Sequence, residues 1–109
     1  MSAQTSKSKS LSLEEIMQTI RANRDVLARM GASRVGLFGS FARGEANESS
    51  DIDLLVEFAD GMKNYDNFID LCFFLEDLFG RNVDLLTPAS LSPHLKQQIE
   101  AEVRYEKLQ

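Results

Sequence analysis

The sequence predicts an α+β fold from three observations: apolar stripes of helical period at residues 13–27 and 68–79, short β-prone runs at 35–38, 51–58 and 83–86, and a helix start at Ser92-Pro93. In chain order these give α-β-α-β-α-β-α, with no internal repeat and no linker long enough to divide the chain.

Residues 1–10 are rich in Ser, carry Lys7 and Lys9, and offer too little apolar surface to offset the entropy of ordering. A frayed tail is expected there, leaving 11–109 as one domain. Ser12 and Glu15 have capping-box spacing, and Leu13, Ile16, Met17, Ile20 and Leu27 follow near helical period until Gly31 offers a cap, so one helix is predicted over 12–30. The short strand 35–38 runs into Gly39-Ser40, a tight turn, and then a short helix over 40–43. Small polar residues at 44–50 read as a loop, and a strand resumes over 51–58. In that strand Ile52, Leu54, Val56 and Phe58 share one face, which puts Asp51 and Asp53 on the other. Asp60-Gly61 marks a turn, and Phe68, Leu71, Cys72, Leu75, Leu78 and Phe79 trace a helical stripe closed by Gly80. After the third strand, ended near Pro88, the last helix is expected to bury Leu95, Ile99 and Val103.

With 43% hydrophobic and 27% charged residues, a chain of 109 residues can build one core without a disulfide. The lone Cys72 therefore reads as a small buried hydrophobe in a reducing compartment. No run reaches the roughly 18 to 20 apolar residues needed to cross a bilayer, and the start of the chain is polar; no membrane association and a cytoplasmic location are expected. Seventeen acidic against twelve basic residues give a net charge of −5, which opposes attraction to a polyanion, so no direct nucleic-acid binding is expected.

The chemistry concentrates in two places. Asp51 and Asp53 on one strand face, with Asp84 on another strand, would repel one another if those strands are neighbours, and a hard divalent ion with oxygen ligands resolves that conflict. The plainer alternative has Asp51 capping a strand and Asp53 solvated. Gly39-Ser40, at a strand-to-helix turn, presents backbone N–H groups and a hydroxyl to an anion such as a triphosphate, or else is an ordinary glycine turn with a serine N-cap. His94 and Tyr65 read as surface or half-buried residues, as does Tyr105.

Gly39-Ser40, ten residues, then Asp51-Ile52-Asp53 and later Val83-Asp84-Leu85 closely resemble the signature of the DNA polymerase β-like nucleotidyltransferase superfamily. The strings Gly39-Ser40-Phe41-Ala42-Arg43-Gly44-Glu45 and Ser50-Asp51-Ile52-Asp53-Leu54-Leu55-Val56 look most like its minimal nucleotidyltransferase branch. The resemblance implies a mixed three-stranded sheet flanked by helices. It implies that Gly39 and Ser40 hold the triphosphate of ATP, that Asp51 and Asp53 bind two Mg²⁺ ions, and that Asp84 completes the catalytic metal site. Arg43 has two readings, a phosphate contact or a surface pair with Glu45 or Glu48. Small members of this branch are commonly paired with a HEPN-domain ribonuclease toxin and resemble antitoxins that AMPylate a toxin tyrosine. Transfer to a small hydroxyl compound, as in aminoglycoside nucleotidyltransferases, and inhibition by binding alone are the competing expectations.

Overall fold

The computed structural model describes residues 11–109, so the expected tail at 1–10 lies outside the described residues. Helix α1, Leu13–Ala22, starts on the predicted capping box: the Glu15 N–H donates to Ser12 Oγ (3.1 Å) and the Ser12 N–H to Glu15 Oε1 (2.9 Å). The single helix predicted over 12–30 is corrected to two, with α2 at Arg24–Arg29. The break falls at Asn23, whose side-chain amide donates to the Thr19 carbonyl at 2.8 Å while its own N–H is shared between Thr19 and Ile20. An Asn side chain that competes for a ladder acceptor loosens the helix at that turn.

The remaining elements are β1 (Ala32–Phe38), α3 (Ser40–Arg43), β2 (Ile52–Phe58), α4 (Tyr65–Phe79), β3 (Val83–Leu86), a 3₁₀ turn (Pro88–Ser90), α5 (Pro93–Glu102) and β4 (Arg104–Lys107). The sheet order is β3-β2-β1-β4, with β2 and β3 parallel and the other pairs antiparallel. The mixed sheet thus has a fourth strand beyond the three that the resemblance implied. β4 lacks the apolar alternation that marks a strand in sequence. Its partner specifies it: Arg34 pairs with Lys107 and Leu37 with Arg104, and Leu108 is buried just beyond, its N–H on the Ser33 carbonyl. The buried face expected for the last helix is also corrected. Only Ile99 is buried; Leu95 is exposed, and Val103 lies past the helix end, half-buried as its C-cap.

The two faces of the sheet are unequal. Val35 and Leu37, Ile52, Leu54 and Val56, and Val83 and Leu85 form the main core with Ile16, Ile20 and Leu27 and with Leu71 and Leu75. Each fully buried aliphatic side chain there contributes about 1.5–3 kcal/mol. On the other face Phe38, Leu55 and Ile99 make a small separate cluster under α5. Because strand side chains alternate, Asp53 and Asp84 fall on that second face.

Candidate active site

Gly39 links β1 to α3 with φ 78° and ψ −155°, a region open essentially to glycine alone. A second constraint coincides with the first, since a Cβ at this position would collide with the Asp53 carboxylate. The turn therefore lies directly against Asp53, which the sheet holds opposite Phe38 in register. Ser40 opens α3, whose N-terminus has no side-chain cap.

Asp53 is also in register with Asp84 across the parallel β2–β3 pair. Neighbouring strands lie about 4.8 Å apart, so the two carboxylates stand side by side on the α5 face. Asp51 immediately precedes β2 and is exposed, as is Asp84. Its backbone is tied on both sides: the Ile52 N–H donates to Asn82 O (3.0 Å) and Arg81 Nη1 to Ser50 O (3.0 Å), with the Arg81 guanidinium over the Phe41 ring at 5.3 Å. The half-buried Asp53 carboxyl is pushed up to about 6. Burial is the main cause, the charges of Asp84 and Asp51 come next, Arg43 opposes them and Glu102 adds to them.

As placed, no three His, Cys, Asp or Glu side chains among the described residues form a metal-binding group. In donor type and charge the three aspartates nevertheless fit a hard divalent cation, because their oxygens share one unfavourable field that a cation would relieve and two of them remain open to solvent.

Sequence reasoning missed Glu102, the last residue of α5. The Gly39 N–H donates to Glu102 Oε2 at 2.7 Å, and Arg43 Nη1 donates to both Glu102 oxygens at 3.2 Å. Arg43 Nε donates to Glu45 Oε1 at 3.0 Å, so of the two surface partners considered it is Glu45, not Glu48, that pairs with it. The available signal was an acid in the last turn of a helix, where the helix dipole disfavours negative charge. Around these groups lies a cavity of about 640 Å³, bordered by Gly39, Ser40, Arg43, Asp53, Gln98 and Glu102. A second cavity of about 440 Å³ lies on the same face toward the other end of β2. There Arg34 pairs with Glu57 at 2.8 Å and its guanidinium stacks 3.6 Å over Tyr105, and Ile99 borders both cavities.

The remaining candidates stand apart from this site. Cys72 is half-buried and its thiol is pushed up, first by burial and then by Glu76 and Asp84, which disfavours a reactive thiolate. His94 is exposed beside Gln98, Tyr65 is exposed and Tyr105 half-buried. Among the described residues no helix is long and apolar enough to cross a membrane.

The model of the nucleotidyltransferase domain family matches residues 20–105. The protein adenylyltransferase MntA of Thermococcus cleftensis is 41% identical over 96 residues, covering 87% of this chain and 96% of the relative. A solved structure provisionally named a minimal nucleotidyltransferase superposes with a TM-score of 0.67 at 42% identity, covering 81% of this chain and 93% of the other. A solved toxin–antitoxin structure with AMP-PNP gives a TM-score of 0.58 at 27% identity, covering 80% and 73% respectively.

Proposed function

The chain belongs to the nucleotidyltransferase domain family, and we propose that it is an antitoxin that transfers AMP from ATP to a tyrosine hydroxyl of a HEPN-type toxin and so silences it. The observation that carries this reading is the close approach of the Gly39 turn to Asp53, itself in register with Asp84, so that a glycine turn opening a helix lies beside paired acids. The MntA relative and the toxin–antitoxin neighbour support the acceptor class.

In this mechanism the Gly39-Ser40 turn and Arg43 orient the triphosphate, with Ser40 donating its hydroxyl to a phosphate oxygen. Asp51, Asp53 and Asp84 would hold Mg²⁺, which supplies polarisation of the phosphate and acidification of the attacking hydroxyl when bound. Asp84, exposed on the α5 face, accepts the proton of the acceptor hydroxyl. The tyrosyl oxygen forms a bond to the α-phosphorus, the bond from that phosphorus to the bridging oxygen breaks, and pyrophosphate leaves. The openness of Asp51 and Asp84 to solvent suits an acceptor carried on another protein.

The test incubates the chain with its toxin and ATP labelled at the α- or the γ-phosphate, followed by mass spectrometry of the toxin. Label from the α position alone, lost with Asp53→Asn in a chain that still folds, is expected. Label from the γ position would make the protein a kinase, and full toxin inhibition without label would leave binding as the mechanism.

A further inference from the structure

We propose that Glu102 is a built-in occupant of the phosphate turn: its carboxylate holds the Gly39 N–H and the Arg43 guanidinium until an incoming triphosphate displaces it. This rests on the reading of Gly39-Ser40 as the triphosphate seat. Three hydrogen bonds converge on the two Glu102 oxygens, one from the backbone of the turn and two from Arg43, all with a charged acceptor. The same donors are those that the proposed function assigns to a phosphate. A carboxylate and a phosphate oxygen cannot both take the one Gly39 N–H at full strength.

The placement of Glu102 is otherwise unfavourable. It ends α5, where the helix dipole repels an anion, and it adds to the negative field on Asp53. What keeps it there is the turn on one side and the backbone on the other. The Val103 N–H closes α5 on the Ile99 carbonyl at 2.9 Å, and Arg104 then pairs with Leu37, one residue before Phe38 leads into the turn. The backbone of Glu102 is thereby fixed while its side chain, 24% exposed, remains free to change rotamer. Arg43 is not stranded by the exchange, because Glu45 already holds its Nε. Displacement therefore costs the three hydrogen bonds to the carboxylate and needs no backbone movement, only rotation of one side chain between staggered wells. Its consequence is a free protein that binds triphosphate more weakly than its turn alone would allow.

The experiment is titration calorimetry of the full chain with Mg²⁺ and α,β-methylene-ATP, which cannot transfer AMP, and separately with inorganic tripolyphosphate. Glu102→Gln and Glu102→Ala are expected to bind both ligands about five- to tenfold more tightly than the wild type, a gain of about 1 to 1.4 kcal/mol. Glu45→Gln removes a charge from the same arginine without touching Gly39, and its gain should stay below about twofold. If Glu102→Ala fails to fold, the isosteric Glu102→Gln decides the question. Unchanged or weaker binding in the Glu102 variants would overturn the proposal, as would an equal gain from Glu45→Gln or a gain absent with tripolyphosphate. Ser40→Ala separates the two levels. If it weakens binding while the Glu102 variants do nothing, the phosphate seat stands and the occupant falls; if it also does nothing, the seat itself is elsewhere.

Discussion

One face of the sheet lies under α1, α2 and α4 and buries aliphatic side chains from three strands, whereas the other carries α5 and the 3₁₀ turn, with Phe38, Leu55 and Ile99 as its only buried cluster among the described residues. The thin face also holds two cavities, a carboxyl held near 6 by its surroundings, and an acid at the C-terminal end of a helix. The difference follows from what each face must do. A surface that keeps acids side by side next to open cavities cannot be packed to the density of a core, so stability has to come from the opposite side of the same strands. Because β1, β2 and β3 contribute to both faces, the well-packed side also fixes the positions of Gly39, Asp53 and Asp84.

The largest expected effect tests this division by truncation. Leu54→Ala should cost about 3–4 kcal/mol in urea unfolding, with the residue fully buried, while Ile99→Ala should cost about 1–2 kcal/mol because cavities already adjoin it. Equal losses would mean that the two faces share the load.

A smaller effect has the opposite sign. The Asp53 carboxyl is held near 6 in the folded protein against an ordinary 3.8. Protonated in both folded and unfolded states below pH 3.8, it carries no penalty there; charged in both above pH 6, it destabilises the fold. Asp53→Asn should therefore stabilise the metal-free protein at pH 7.5 by about 1 kcal/mol after allowance for solvent screening, and the gain should fade toward pH 4. A destabilised variant at pH 7.5 would sever the link between this face and electrostatic strain.

The smallest effect belongs to the rim. A hydrogen bond from Arg21, reinforced by its charge, holds Glu106 below its ordinary 4.5 and ties α1 to β4. Its contribution is present above pH 4.5 and is lost as pH falls through the lower folded value, the reverse of Asp53. Urea midpoints of Glu106→Gln and wild type should thus converge as the pH drops; a constant difference across the range would remove the ion pair as its source.

Much of this arrangement is legible from short-range chemistry. The Ser12–Glu15 box, the strand Val83–Leu86, the Gly80 cap and the glycine turn before Ser40 all depend on residues within a few positions of one another. The spacing from Gly39-Ser40 to Asp51 and Asp53 was legible too, although their proximity comes from the β1–β2 register. What sequence could not provide were decisions made at long range. Arg104–Lys107 becomes a strand because β1 offers an open edge, and Glu102 reaches the glycine turn because that strand brings the end of α5 back to Gly39. At Asn23 the missed signal was local, a side chain whose capping chemistry outweighed the apolar stripe around it.

The outer strands β3 and β4 are each only four residues long, and Thr87-Pro88 stops the first while Arg104, Glu106 and Lys107 charge the second. Short edges, a terminating proline and charged rims are poor templates for intermolecular strand addition. Concentrated solutions of the protein should accordingly resist ribbon-like polymerisation, and a binding partner gains little from backbone pairing along edges only four residues long.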